Sequence, residues 1–347
     1  MERLAVATED PDPRAPANAI SGAVIEVRSL VRTFEGGVEA VRGIDLAVAR
    51  NEIFGFLGPN GAGKTTTVRM LCTLLPPTSG TANVAGFDVV ASPDAVRHRI
   101  GVALQEIGLD PVQTGRELLE LQCGLYGITG RQAKARTEEL LALVGLTEAA
   151  DRRTNTYSGG MKRRLDLASA LVHSPEVLFL DEPTTGLDPA SRLTVWDEVR
   201  RINASGTTVF LTTQYLEEAD KLCNRLAIID DGEIVTEGTP AELKAKMGHD
   251  VVSVSLDGAD PSATGAALDG LPGLERVVAE PDALALYVED GAGSIAEIVR
   301  RLERAEIAIG AISVSRPSLD DVFLHATGRR LEGQDASGQQ DEEEESR

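Results

Sequence analysis

The sequence predicts an α/β chain: a helix-flanked sheet of mixed, mainly parallel strands with a helical insertion, followed by a small α+β domain. Three observations carry this. The runs IFGFL (53–57), VLFLD (177–181), TTVFLTT (207–213) and LAIID (226–230) are mostly apolar, as strands buried on both faces are. Between the first and second of these, from about Arg116 to Leu171, ELLELQCGLYGI and ARTEELLALVGL set Leu and Val at helical spacing. After Met247 the texture restarts as VVSVSL, ATGAALDGL, ERVVAE, ALALYVED, SIAEIVRRLERAEI and AIGAISVSR. That order, strand, helix, strand, strand, helix, strand, is a ferredoxin-like arrangement.

Taken in order, residues 1–22 carry acids and prolines where a signal peptide would need an apolar block, and their composition predicts an unstructured end. VIEVRSL and IDLAVA read as short strands broken by Gly and Asn turn signals, and IFGFL follows. Residues 23–245 then make one domain, with its helical insertion at about 106–172, and residues 248–327 make the second, with a boundary near 243–250. The last stretch, 328–347, is expected to be disordered. Residues 331–347, LEGQDASGQQDEEEESR, hold seven acids and one Arg and so supply −6 of the chain's formal −21.

A net charge of −21 argues against nucleic acid as a partner, since phosphate backbones require clustered Lys and Arg. With no run of about 18 apolar residues, the chain is expected to stay on the cytoplasmic side, and any action across a bilayer needs another polypeptide. Cys72, Cys123 and Cys223 are far apart, without CxxC spacing, and read as reduced, mostly buried thiols.

The stretch GPNGAGKTT directly follows IFGFL and precedes the helical TVRMLCTLL. Here Gly58, Pro59, Asn60, Gly61, Ala62 and Gly63 would curl the backbone so that N–H groups, backed by a helix N-terminus, point at phosphate oxygens. Lys64 would meet the β- and γ-phosphates, the Thr65 hydroxyl would face Mg²⁺, and Thr66 completes the first turn. VLFLDEP supplies the complement: Asp181, at the carboxyl end of an apolar strand, is placed to hold the metal, and Glu182 could polarise the attacking water.

YSGGMKRRLDLASAL (157–171), together with LDEPTTGLD, resembles the signature and catalytic strand of an ATP-binding cassette (ABC) ATPase, a P-loop NTPase. The order of motifs supports the resemblance from about Val24 to Glu237: phosphate loop, Gln105 after an apolar strand, signature, Asp181-Glu182, Asp188, then LTTQYLEEAD. RPSLDDVFLHATGR (316–329) resembles the daunorubicin-resistance type within that family, and its Leu319, Val322 and Phe323 fall on one helical face. The resemblance implies ATP and Mg²⁺ as cofactors, with Thr65, Gln105 and Asp181 around the metal. It implies Ser158, Gly159 and Gly160 reaching ATP held by an opposing cassette, and Asp188 reaching across the same dimer.

Each assignment has a plainer counterpart. Ser158 and Asp188 would serve as ordinary helix caps, Phe34, which the family stacks on adenine, as a core aromatic, and Gln105 as a surface residue. Two departures stand out: Met161 replaces the family's commoner Gln, and Gln214 stands where most cassettes place a His that senses the γ-phosphate. The function implied is ATP hydrolysis that energises a separately encoded membrane permease exporting a hydrophobic drug-like compound. The chain would act as a homodimer, peripheral to the cytoplasmic face of the membrane, with Lys64, Glu182 and Gln214 at the reacting phosphate. The alternative is a soluble ATP-dependent regulator with little hydrolysis.

Overall fold

The computed structural model describes residues 22–105, 108–248, 250–256, 261–279, 283–329 and 331. The expected disordered ends, 1–22 and 328–347, lie almost wholly outside the described residues. The chain divides into two compact units between Glu237 and Gly238.

The first unit runs β1 (Ile25–Thr33), β2 (Glu39–Val48), β3 (Ile53–Leu57), α1 (Lys64–Leu71), β4 (Ser79–Val84), β5 (Phe87–Asp88), α2 (Pro93–Arg97), β6 (Ile100–Ala103), α3 (Gly115–Leu125), α4 (Gly130–Leu143), α5 (Gly159–Ala170), β7 (Val177–Asp181), α6 (Pro189–Ala204), β8 (Thr208–Thr213), α7 (Leu216–Leu222), β9 (Arg225–Asp230) and β10 (Glu233–Gly238). Two sheets result: an antiparallel one ordered β2-β1-β4-β5, and a larger one ordered β10-β9-β3-β8-β7-β6 in which β9, β3, β8, β7 and β6 run parallel. The central strands β3, β7 and β8 are buried at every position, which is why their sequences carry no polar alternation.

Phe54, Phe210 and Phe179 sit opposite one another on β3, β8 and β7, with Phe210 in the middle. Ring centroids lie 5.7 Å apart for Phe54–Phe210 and 5.6 Å for Phe179–Phe210. Each ring is fully buried, so losing one to Ala would cost about 3–5 kcal/mol. This ladder holds the strands in a register that sets Asp181 beside Thr212 and Leu57 beside Thr213. The carboxyl ends of the three strands therefore finish level, where open parallel sheets bind ligands.

Helix starts follow local chemistry. Thr114 and Glu117 form a reciprocal capping box at α3, and Asp188 followed by Pro189 starts α6. The elements β4, β5 and α2 were invisible to periodicity, because SGTANV alternates small and exposed residues and PDAVR is barely one turn.

The second unit contains α8 (Pro240–Lys246), β11 (Asp250–Leu256), α9 (Pro261–Ala267), β12 (Leu274–Ala279), β13 (Ala283–Val288), α10 (Gly291–Arg304), β14 (Ile309–Ser315) and α11 (Leu319–Thr327). Its antiparallel sheet is ordered β12-β13-β11-β14, which is the ferredoxin-like order. Val252, Val254, Leu284 and Leu286 pack on Leu268, Ile298 and Leu302 of the α9–α10 side. On the opposite face, Tyr287 donates its hydroxyl proton to Asp321 of α11 at 2.7 Å, and Leu319, Val322 and Phe323 are buried. Because α8 packs on α11, it belongs to this unit, and the division falls a few residues before the boundary expected near 243–250.

Candidate active site

At the end of β3 the chain turns through Gly58, Pro59, Asn60, Gly61, Ala62 and Gly63 and enters α1 at Lys64. Gly63 holds φ at +104°, and a Cβ there would stand 2.4 Å from the Ala40 carbonyl oxygen, so no other residue fits. The N–H groups of Lys64, Thr65 and Thr66, in the first turn, lie ahead of the helical i to i−4 bonds and donate to no other described residue, which leaves them open to an anion. Lys64 is only 4 % exposed. Its ammonium donates to the Gly58 and Pro59 carbonyls at 2.8 and 3.0 Å and pairs with Glu182 Oε1 at 3.3 Å. Burial lowers the Lys64 pKa, and the neighbouring Glu182 works against that shift.

Asp181 closes the far side. Its Oδ1 accepts from Thr65 Oγ1 at 3.2 Å and from Thr212 Oγ1 at 2.6 Å. Its Oδ2 is buried with no hydrogen-bond partner among the described residues. An unpartnered carboxylate oxygen beside a threonine hydroxyl and a phosphate-binding turn fits a divalent cation such as Mg²⁺, which takes one or two carboxylates and completes its shell from phosphate and water.

Glu182 has φ +50°, a left-handed backbone that costs an ordinary residue about 1–3 kcal/mol. The surroundings hold it there: its N–H donates to Thr212 O at 3.1 Å and to Thr212 Oγ1 at 3.0 Å, and its carbonyl accepts from Thr185 N at 3.3 Å. Its side chain accepts from Gln105 Nε2 at 3.4 Å and Thr185 Oγ1 at 3.3 Å. Lys64, Thr65, Asp181, Glu182 and Gln105 thus meet in one place.

Other sequence-derived candidates lie around this centre without touching it. Ser158 caps α5, accepting from Met161 N at 3.3 Å, and Asp188 caps α6, accepting from Ser191 N at 3.0 Å. Both plainer roles are therefore realised, while Ser158, Gly159 and Asp188 stay exposed. Gly160 is buried against α6, where a Cβ would meet Ser191 Oγ at 2.7 Å. No hydrogen bond joins these residues to the phosphate-binding turn among the described residues. Phe34 is not core: it is 39 % exposed, with the Arg32 guanidinium 4.7 Å from its ring centroid. Gln214 follows β8, half-buried, and its amide bonds no described residue.

Sequence reasoning missed several supporting residues. Thr212 positions both Asp181 and the Glu182 N–H, and it was signalled only by lying in a strand end already singled out. Glu218 is fully buried, and its Oε1 accepts from Thr184 Oγ1 at 2.9 Å and Trp196 Nε1 at 2.8 Å, so α7 is tied to the segment after Glu182. Arg163, in the RR of the α5 sequence, is buried while Arg164 beside it is only half-buried.

Comparison with known proteins agrees with this geometry. The ABC transporter family profile matches residues 41–185, and the profile of the C-terminal domain of DrrA1-3-like ATP-binding proteins matches residues 238–327. Daunorubicin resistance ATP-binding protein DrrA3 of Streptomyces coeruleorubidus is 48% identical over 84% of this chain and 92% of its own length. Doxorubicin resistance ATP-binding protein DrrA of Mycobacterium tuberculosis (strain CDC 1551 / Oshkosh) is 44% identical over 87% of this chain and 93% of its own. Among solved structures, an ATP-binding subunit of an ABC transporter superposes with TM-score 0.59 at 25% identity, covering 65% of this chain and 93% of that one. A dimeric ATP-binding cassette in a post-hydrolysis state with ADP and Pi superposes with TM-score 0.56 at 25% identity, over 62% of this chain and 98% of that one. The chain belongs to the ABC transporter family as a nucleotide-binding ATPase subunit of the kind that works with membrane components, and it carries a DrrA-like C-terminal domain.

Proposed function

We propose that the chain hydrolyses MgATP to drive a separately encoded membrane permease that exports a hydrophobic, drug-like compound. The observation that carries the chemistry is the meeting of Lys64, Asp181 and Glu182 at the level ends of β3, β7 and β8. Lys64 would move from its carbonyl partners to the β- and γ-phosphates, and Thr65, Gln105 and Asp181 would hold Mg²⁺, which when bound neutralises phosphate charge. Glu182 would accept the proton of the attacking water, oriented by Gln105 and Thr185. Gln214 would donate to a γ-phosphate oxygen, and Phe34, exposed on one face, would stack on adenine.

A second copy completes each site in this reading. The exposed Ser158 and Gly159 at the open N-terminus of α5, and the exposed Asp188, are oriented by their caps and free to meet the phosphates of an opposing subunit. The family's solved dimer with ADP and Pi supports the arrangement.

Among the described residues no helix is long and apolar enough to cross a membrane, so the transport path would belong to the partner. A groove of about 390 Å³ between β6 and helices α3 and α5, lined by Leu74, Leu104, Gln122, Tyr126 and His173, is the place for its docking helix, one residue from Gln105. Drug export rests on relatives named for daunorubicin and doxorubicin resistance. Peripheral attachment at the cytoplasmic face follows from that partnership.

The test co-expresses the chain with a candidate six-span permease, sought first in the neighbouring reading frame, and follows ATP turnover and daunorubicin uptake into inverted vesicles. ATP-dependent uptake abolished by Glu182→Gln is the expected result. Turnover without any drug movement would overturn the export reading. Negligible turnover even with the membrane protein would favour an ATP-binding regulator, a reading that the unusual Gln214 keeps in view.

A further inference from the structure

The Arg163 guanidinium lies behind the catalytic strand and makes three bonds to backbone carbonyls. Its Nε donates to Pro183 O at 3.0 Å and its Nη2 to Asp181 O at 3.2 Å, so one planar group holds the carbonyls on both sides of Glu182. Its Nη1 donates to Leu104 O at 2.6 Å, the carbonyl just before Gln105, and to Asp166 Oδ2 at 3.2 Å. The residue bracketed in this way is the one held at φ +50°. Gln105 and Glu182, whose side chains meet at 3.4 Å, are thus both fixed from behind by the same side chain.

We propose that Arg163 is a positioning residue for hydrolysis: it sets where the Glu182 carboxylate and the Gln105 amide stand, and carries movements of α5 to both. This rests on the reading of Glu182 as general base. Three carbonyls from two separate segments, the end of β7 with Pro183 just after it and the loop after β6, require the fixed fork of a guanidinium, because the compact ammonium of a lysine cannot span them. Arg163 stands five residues after Ser158, the N-cap of the same helix, so any displacement of the α5 N-terminus by an opposing nucleotide would reach the Glu182 peptide through this side chain.

The experiment compares Arg163→Lys with wild type in the full chain, reading kcat, KM, affinity for a fluorescent ATP analogue and melting temperature. We expect kcat to fall roughly 10- to 100-fold, as sub-ångström misplacement of a reacting group does, with KM and nucleotide affinity within about threefold. If Arg163→Lys melts early, Arg163→Gln, whose amide keeps two donors without a buried charge, carries the same comparison. Single-turnover rates in a Glu182→Gln background complete the cycle: Arg163→Lys should add little there if it acts through Glu182. Unchanged kcat in a folded, nucleotide-binding variant overturns the proposal, as does a full additional loss in the Glu182→Gln background. Failure of the general-base reading looks different, because Glu182→Gln alone would then leave turnover intact.

Discussion

Lys64 and Glu182 form an ion pair 3.3 Å apart with both side chains almost completely buried. Each member nevertheless has other partners, which makes their substitutions separable. Glu182→Gln leaves Lys64 its two carbonyls, so nucleotide affinity should stay within a fewfold while turnover falls about 10²- to 10⁴-fold. Lys64→Ala leaves the Glu182 carboxylate buried against Gln105 and Thr185 alone. It should weaken nucleotide binding by roughly 10-fold or more through loss of a charged phosphate donor. Isothermal titration with ATP and steady-state turnover separate the two; equal loss of affinity in both variants would contradict this division of roles.

Gln214 can position a phosphate oxygen but cannot titrate near neutral pH as a His would. Gln214→Ala should lower kcat by about 10²-fold or less, the lower range for loss of one donor to developing charge. Gln214→His should keep substantial activity, since either side chain donates to the same oxygen. Turnover measured with the membrane partner present decides the matter, and wild-type rates in Gln214→Ala would remove this residue from the phosphate site.

Glu218 concerns stability. Burial raises its pKa, opposed by the side chains of Thr213, Trp196 and Thr184; its Oε1 accepts from Thr184 and Trp196, while Oε2 has no well-formed hydrogen bond among the described residues. A glutamine oxygen can accept the same two bonds without a buried charge. Glu218→Gln should therefore match or exceed wild-type stability at pH 8, whereas Glu218→Ala strands two donors and opens a cavity, costing about 2–4 kcal/mol. Urea unfolding of both variants gives the comparison. A Gln variant as unstable as the Ala variant would mean that the ionised carboxylate is required.

Asp166, the acidic partner of Arg163, has its pKa raised by burial from 3.8 to about 6, with Arg163 opposing the shift. A group whose folded pKa lies above its unfolded value favours the folded state most at low pH, and that contribution is lost as pH rises through the folded value. Wild type should therefore lose stability relative to Asp166→Asn between pH 4 and pH 6, by at most about 3 kcal/mol, and remain level above that window. Melting temperatures of the two proteins across this range test it. A slope of the opposite sign would mean that the attraction of Arg163 outweighs desolvation.

Much of this was legible from short motifs. GPNGAGKTT and VLFLDEP carry the phosphate turn and both carboxylates because their chemistry depends on adjacent residues and on a strand before them. The ferredoxin-like unit was legible because VVSVSL alternates and because ALALYV, nearly all buried, reads as a strand covered on both faces between two helical stretches. What escaped depends on contacts between distant segments. Arg163 and Arg164 are indistinguishable as neighbours, yet Arg163 is buried against carbonyls from the end of β7 and the loop after β6, and nothing in the helical period marks which cation turns inward. Thr212 and Glu218 escaped for the same reason: their partners are 31 and 34 residues away in the chain. The position of α8 depended on its docking to α11, some 75 residues later, which local composition does not encode.

The three cysteines are all buried and free, and they report on three different parts of the ATPase unit. Cys72 caps the C-terminus of α1, Cys123 lies in α3 within the helical insertion, and Cys223 ends α7 beyond Gln214. Burial pushes the thiols of Cys72 and Cys223 well above their ordinary pKa, so they stay protonated and slow to react while the surrounding structure is closed. The unmodified protein therefore carries three built-in clocks. The rate at which each thiol is trapped by a small reagent measures how often its own segment opens, and the effect of ATP on the three rates would show which parts tighten together.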